Sequence, residues 1–162
     1  MKTLVMYDSV FGNTEKIAQA IGGAAPSTAG VGVFRVSEMG KVQFEGLKLL
    51  IVGSPTRAFR PTVSIQSFIR GFIANGLEGV RVAAFDTRIA LEDINSKILH
   101  FMVPIFGYAA KPIADGLVKK GGRLILPPEG FFVKGSEGPL KEGELMRAAD
   151  WAKKIFESAK QD

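Results

Sequence analysis

The sequence predicts an α/β domain with a doubly wound parallel sheet of five strands. The main observation is an alternation along the whole chain, in which a short apolar run is followed by a segment of helical periodicity. Right-handed crossovers between parallel strands then favour an open sheet with helices on both faces. The second observation is that no repeat or linker divides the 162 residues. We therefore expect one domain over residues 1–162.

Five apolar segments are predicted as strands. Leu47–Val52 is nearly continuous in apolar residues, which is typical of a central strand buried on both faces. The fifth strand is Arg123–Leu126, with a continuation at Phe131–Val133 after the pair Pro127-Pro128. The remaining strands are Lys2–Tyr7, Val31–Val36 and Val80–Phe85.

Apolar residues at steps of three and four predict the helices between these strands. The first helix is capped by Asn13 or Thr14 and ends at Gly22-Gly23. Three later helices present apolar faces within 65–73, 109–118 and 145–156. An extra helix is predicted in an insertion after strand four (residues 89–107), where these residues recur at helical spacing: Leu91, Ile94, Ile98, Phe101, Met102 and Ile105.

Composition restricts the classes of function. The absence of cysteine excludes disulfides, thiolate metal sites and iron–sulfur clusters, and it fits a reducing cytoplasm, which is the expected location. The most apolar stretch (98–110) is shorter than the roughly 20 residues of a membrane span. The net charge of +5 has two interpretations. The basic residues simply form a solvated surface, or they favour an acidic partner or an anionic ligand. Nucleic acid is not expected as a partner, because the basic residues are scattered.

The loops after strands one, three and four form the candidate site, because ligands of doubly wound sheets bind beyond the carboxyl ends of strands. The first loop, residues 8–15, runs directly into a helix, so its backbone N–H groups and the helix dipole favour a phosphate. Ser9 and Thr14 add hydroxyls, and Asn13 adds an amide. An ordinary capped turn is the alternative interpretation of this loop.

The segment Tyr7-Asp8-Ser9-Val10-Phe11-Gly12-Asn13-Thr14-Glu15-Lys16-Ile17-Ala18 resembles the FMN phosphate loop of flavodoxins. It is closest to the flavodoxin domains of flavodiiron proteins, where an apolar or aromatic residue also precedes Gly-Asn-Thr. The resemblance implies FMN as the cofactor and a sheet of strand order 2-1-3-4-5. It assigns phosphate binding to Ser9, Val10, Phe11, Gly12, Asn13 and Thr14. Since Val10 and Phe11 replace threonines that many flavodoxins use, backbone donors are expected to carry more of the binding.

The resemblance also implies that two further loops flank the flavin ring. Gly53-Ser54-Pro55-Thr56 is similar to a flavodoxin motif at one edge of the ring, which assigns that side to Pro55, Thr56, Arg57, Ala58, Phe59 and Arg60. Phe59 is expected to stack on the ring, although a partly buried loop aromatic is an equal alternative. The other side is assigned to Asp86, Thr87 and Arg88, and the tyrosine that flavodoxins often stack there is not evident. The three arginines are expected to favour negative charge on the reduced flavin unless they are simply solvated.

The function that this resemblance implies is electron transfer by bound FMN, exchanged with a redox partner protein. The net positive charge favours an acidic partner. A redox carrier is favoured over a stand-alone oxidoreductase, and no catalytic side chain is expected. An FMN-dependent NAD(P)H:quinone-type reductase is one alternative, because the arginines suit an anionic dinucleotide. A flavin-free interaction module is another.

The 91–106 insertion has four alternative interpretations. It is extra cover for the core, a lid over the flavin, a homodimer contact or a docking face for a redox partner. His100 is interpreted as structural or as a surface residue, and no metal site is expected.

Overall fold

The computed structural model describes residues 1–161 and contains one parallel sheet. Its strands are β1 (Lys2–Tyr7), β2 (Gly30–Arg35), β3 (Leu47–Pro55), β4 (Arg81–Ile89), β5 (Arg123–Leu124) and β6 (Glu129–Val133). The order β2-β1-β3-β4-β5 confirms the predicted order 2-1-3-4-5. The order reverses between β1 and β3, and ligands of open α/β sheets bind at such a point.

The fifth position of the sheet is divided between two short strands. β5 pairs with the start of β4, at Arg81 and Val82, and β6 pairs with its end, from Phe85 to Ile89. Pro127 and Pro128 lie between the two strands and have no N–H to donate to the ladder. The predicted continuation of the fifth strand after the prolines is therefore confirmed, and it forms a sixth strand.

Helices cover both faces of the sheet. They are α1 (Asn13–Gly23), α2 (Val63–Arg70), α3 (Lys97–Phe106), α4 (Ala110–Lys119) and α5 (Glu144–Ser158), with 3-10 turns at Val36–Lys41 and Leu91–Asp93. Helices α1 and α5 pack on one face, and α2 and α4 on the other. Alternate residues of β3 enter the two cores, as expected for a strand buried on both sides: Leu49 and Ile51 face α1 and α5, whereas Leu50 and Val52 face α2 and α4.

Strand β4 is longer than the sequence pattern predicts. The predicted end at Phe85 is wrong, because β4 continues to Ile89 while paired with β3 on one side and β6 on the other. Asp86, Thr87 and Arg88 are consequently strand residues and not loop residues. Polar residues are accommodated in this strand because their side chains have hydrogen-bond partners: Asp86 bonds Arg88 of the same strand, and Thr87 bonds Thr14 of α1.

The insertion is a helix only in its second half. The predicted helical spacing begins at Leu91, but residues 91–93 form a 3-10 turn and α3 starts at Lys97. The Ser96 hydroxyl caps α3 by accepting from the Leu99 N–H at 3.4 Å. Within the part of the chain that the structure describes, no helix is long and apolar enough to cross a bilayer.

Candidate cofactor site

The three segments predicted to form the site converge on a pocket of about 430 Å³ at the carboxyl edge of the sheet, and the third of them is the end of strand β4. The predicted residues that line it are Ser9, Val10, Phe11, Asn13, Thr14, Pro55, Thr56, Arg57, Ala58, Thr87 and Arg88. Ile89, Val133 and Ser136 line it as well and were not predicted. These three reach the pocket through the pairing of β4 with β6, which leaves no local signal in the sequence.

The first loop presents an uncapped helix N-terminus to this pocket. Gly12 is the residue that precedes α1, with a φ of 89°, and α1 has no side-chain cap. A positive φ strains residues that carry a Cβ, so glycine suits this position. The Ser9 hydroxyl accepts from the Gly12 N–H at 3.0 Å and closes the turn. Because the first-turn N–H groups of a helix have no partner within the helix, they remain available to an anion.

An ion pair between Asp8 of this loop and Arg35 of the neighbouring strand β2 holds the loop backbone. The Asp8 carboxylate accepts from the Ser9 N–H at 2.8 Å and from the Arg35 guanidinium at 3.2 Å. Arg35 also donates to the Ser9 carbonyl. Neither residue was singled out from the sequence as a support of the loop.

Two further hydrogen bonds tie the start of α1 to the other strands. The buried hydroxyls of Thr14 and Thr87 are 2.8 Å apart, which joins α1 to β4. The Asn13 amide donates to the carbonyl of Glu137 at 3.1 Å, in the segment after β6. The polar side chains at the base of the pocket are therefore held by contacts between elements.

The second loop contains a tight turn at residues 57–60. Arg57 and Arg60 exchange backbone hydrogen bonds of 2.8 and 3.0 Å across it. Ala58 and Phe59 at its centre have φ values of 46° and 67°, the left-handed region that residues with a Cβ rarely adopt. The Phe59 ring lies 5.6 Å from the Phe106 ring of α3.

A second pocket of about 700 Å³ adjoins the first beneath α3. The two pockets share Thr56, Ala58, Ile89 and Ser136, so they form one continuous depression. The apolar and aromatic side chains of the second pocket include Phe59, Ile94, Leu99, Val103 and Tyr108, and the pocket is also lined by polar residues, among them Asp93, Asn95, Ser96 and Lys134. Phe59 therefore lies in the apolar part of the depression, whereas Arg60 lines neither pocket.

Asp86 does not line either pocket. Its carboxylate is fully buried on the other face of β4, where it accepts two hydrogen bonds from Arg88, at 2.6 and 2.7 Å, and one from the Ala110 N–H at 2.7 Å. Burial raises the pKa of Asp86, and the bonds from Arg88 and Ala110 act in the opposite direction. The Asp86 carboxylate is therefore directed away from both pockets, and a contact of this residue with the ring edge stays a prediction for its backbone groups.

Arg88 is occupied by the same interaction. Its guanidinium lies 3.9 Å from the centre of the Tyr108 ring. It also packs against Gly130 of β6, where a side chain would overlap it, so the glycine leaves room for Arg88. The positive charge of Arg88 is thus directed at Asp86, so of the three predicted arginines only Arg57 and Arg60 have a charge that is not paired with a carboxylate among residues 1–161. Tyr108 was missed because it follows the insertion and not the strand.

The remaining sequence predictions concern residues outside the depression. His100 is exposed on α3, in agreement with a surface residue. Trp151 packs edge-on against Phe85 and Phe131 in the core. Among residues 1–161 there is no cluster of His, Asp or Glu suited to a metal ion.

Comparison with known proteins identifies the fold. No protein-family model matches the sequence, and neither does any curated protein. Among solved structures, a flavodoxin from the domain Archaea is 23% identical, with 99% of this chain and 100% of that chain covered and a TM-score of 0.75. Flavodoxin 1 from Bacillus cereus is 16% identical, with 97% and 98% covered and a TM-score of 0.74. Rubredoxin oxygen:oxidoreductase from Desulfovibrio gigas is 20% identical over 98% of this chain and 36% of that chain, with a TM-score of 0.72. The chain therefore has the flavodoxin-like fold.

Proposed function

We propose that this protein binds FMN non-covalently and transfers electrons. The observation that carries the proposal is the shape and chemistry of the depression. One end presents N–H groups and hydroxyls at the start of α1, and the other end is apolar and aromatic beneath α3. A ligand with a phosphate at one end and a flat ring at the other matches both ends. The fold, which the chain has in common with flavodoxins, points to the same cofactor.

The polar end fits a phosphate group. The uncapped N-terminus of α1 supplies N–H donors, and the hydroxyls of Ser9, Thr14 and Ser136 lie in the same pocket. No carboxylate lines this pocket, and Arg57 lies at its edge. Phosphates bind at helix N-termini because the N–H groups and the dipole both favour negative charge.

The apolar end fits a flat ring. Pro55, Thr56 and Ala58 would hold one side of it, with Phe59 as the nearest aromatic residue, and Thr87 and Ile89 would hold the other. Tyr108 lies in this end and is a further aromatic contact. FMN, when bound, would supply the acceptance and release of electrons, and the protein's residues would anchor, orient and partly shield it.

Electron exchange with an acidic redox partner is part of the proposal. Arg57 and Arg60 lie on the turn beside the depression, where their positive charge would attract a negatively charged surface. The cytoplasmic location and a homodimer through residues 91–106 remain predictions.

The experiment compares FMN with riboflavin, which lacks the phosphate. We expect the purified protein to take up FMN with a change in the visible flavin spectrum and to bind riboflavin much more weakly. Val10→Glu adds a negative charge at a residue that lines the phosphate end and is 49% exposed. This variant should bind FMN about tenfold or more weakly, because the added carboxylate repels the phosphate, and it should bind riboflavin as before.

The matched control for this experiment is Leu145→Glu, at a residue 47% exposed on α5 that lines neither pocket. It should bind both flavins like the wild type. Equal affinity of the wild type for FMN and riboflavin would contradict the phosphate site. Failure to take up either flavin would select the flavin-free interaction module.

A second candidate function is the NAD(P)H-dependent reductase. The observation that favours it is the size of the apolar end, about 700 Å³, which leaves room for a second flat ring beside the flavin. Rapid bleaching of the flavin by NADPH without any other protein would establish a reductase, whereas an electron carrier would stay oxidised until a partner reductase is added.

A further inference from the structure

Helix α3 exposes apolar side chains on its outer face. Ile98 is 71% exposed, Phe101 is 73% exposed and Ile105 is 61% exposed. These three lie at steps of three and four, so they form one stripe on the side away from the buried Val103. A helix that is apolar all round is normally covered, because a surface helix of a soluble domain has a polar outer face. Neighbouring exposed apolar side chains of this kind mark contact surfaces.

Cations surround this stripe at the carboxyl edge of the sheet. Lys97 is the first residue of α3, and Lys134 lines the pocket beneath it. Arg57 and Arg60 flank Phe59, whose ring contacts Phe106 at the end of α3. None of these four cations pairs with a carboxylate among residues 1–161.

Few carboxylates offset these cations. Asp93 is paired with Lys141, which leaves Glu92 and Glu137 as the nearby unpaired acids among the described residues. The whole chain also carries a net charge of +5. This edge therefore combines an apolar stripe with an excess of positive charge.

A second copy of the chain is a poor match for this surface. Two copies would bring the same cations face to face. A standard stable interface also needs about 800 Å² from each partner, more than a ten-residue helix presents on one face. An anionic lipid surface avoids both problems. Its acyl chains accept a few apolar side chains without a large interface, and its headgroups attract Lys and Arg.

We propose that α3 is a peripheral membrane contact that binds anionic lipid. Ile98, Phe101 and Ile105 enter the boundary between headgroups and acyl chains, and Lys97, Lys134, Arg57 and Arg60 face the anionic headgroups. In this orientation the apolar end of the depression, whose wall includes Leu99 and Val103 of α3, lies next to the membrane. The proposal does not depend on the identity of the cofactor.

The test is co-sedimentation of the full chain with vesicles made of equal parts of phosphatidylcholine and phosphatidylglycerol. The wild type should pellet with these vesicles and much less with pure phosphatidylcholine, and added salt should weaken the binding. Phe101→Asp should reduce partitioning about tenfold or more, since it removes an aromatic side chain that would enter the membrane and adds a charge that the anionic headgroups repel. Because Phe101 is exposed and lines no part of the depression, this variant should fold and bind FMN like the wild type.

Met146→Asp is the matched control, because Met146 is 72% exposed on a different helix. It should pellet like the wild type. Wild-type protein that stays in solution with the anionic vesicles would overturn the proposal, as would Phe101→Asp that pellets unchanged or Met146→Asp that is equally impaired. Light scattering that shows a wild-type dimer which Phe101→Asp converts to a monomer, without vesicle binding, would assign the stripe to a second copy instead.

Discussion

Asp86 and Arg88 lie on the same face of β4 because residues two apart in a strand point to the same side. Two hydrogen bonds join the buried Asp86 carboxylate to the mostly buried Arg88 guanidinium. The Ala110 N–H at the start of α4 donates a third hydrogen bond to the same carboxylate. Burying either charge alone is costly, so the arrangement depends on all three groups. At the residue scale, these side chains hold the fold together, and only Arg88 also lines the proposed cofactor pocket.

Asp86→Ala should therefore destabilise the protein strongly. The substitution leaves the Arg88 guanidinium without its counter-charge and the Ala110 N–H without its acceptor, so we expect the free energy of unfolding to fall by about 3 kcal/mol or more. Urea denaturation measures this change. Asp115→Ala removes an exposed carboxylate whose ion pair with Lys111 spans one turn of α4, and it should cost about 0.5 kcal/mol or less. Similar losses in the two variants would contradict this account of Asp86.

Helix α5 is joined to β6 by Glu144, a carboxylate in its first turn. Glu144 accepts from the Phe132 N–H at 2.7 Å and from Arg147 at 2.7 and 2.9 Å. The Arg147 guanidinium lies 4.6 Å from the centre of the Phe131 ring and also pairs with Glu129. Burial acts to raise the pKa of Glu144, but the hydrogen bonds from Arg147 and Phe132 outweigh it and hold the pKa below its ordinary value of 4.5.

At the scale of this element, we expect the stability that Glu144 contributes to depend on pH. A carboxylate whose pKa is lowered by folding contributes stability above its unfolded pKa and loses it as the pH falls through the folded pKa. The free energy of unfolding should therefore decrease as the pH drops below about 4.5, and Glu144→Gln should be less stable at neutral pH with a shallower decrease in acid. Denaturation at several pH values measures both effects. Glu157→Gln, an exposed position on the same helix, should keep the wild-type slope, and an unchanged slope in Glu144→Gln would exclude this role.

The whole molecule brings together a phosphate end from β1 and α1 with a ring end from β3, β4 and α3. Because a ligand that spans these elements binds only the folded chain, FMN should stabilise the entire fold. At a hundredfold excess over its Kd the gain is about 2.7 kcal/mol, which corresponds to a rise of roughly 5–10 °C in Tm. Thermal unfolding followed by circular dichroism with and without FMN measures this shift. Riboflavin at the same concentration should give a smaller shift, and equal shifts would argue against an anchored phosphate.

The sequence by itself determined the order of the main strands and helices and the three segments that meet at the site. Helical and strand periodicities are local properties of the chain, and a parallel sheet places the carboxyl ends of its strands at one edge. The phosphate loop was also recognisable, because Gly12, Asn13 and Thr14 are adjacent in the chain and act through the backbone of one helix start.

Only the tertiary structure decided where β4 ends, which charges are neutralised and how large the site is. Strand β4 continues past Phe85 because β3 and β6 pair with it, and those pairings join residues far apart in the chain. Arg88 looked like a free cation in the sequence, yet it is paired because strand geometry directs it towards Asp86 beneath Tyr108. Ser136 and Val133 reach the pocket by the same long-range pairing. Contacts of this kind depend on the packed sheet, whereas the elements themselves follow from the local distribution of apolar residues.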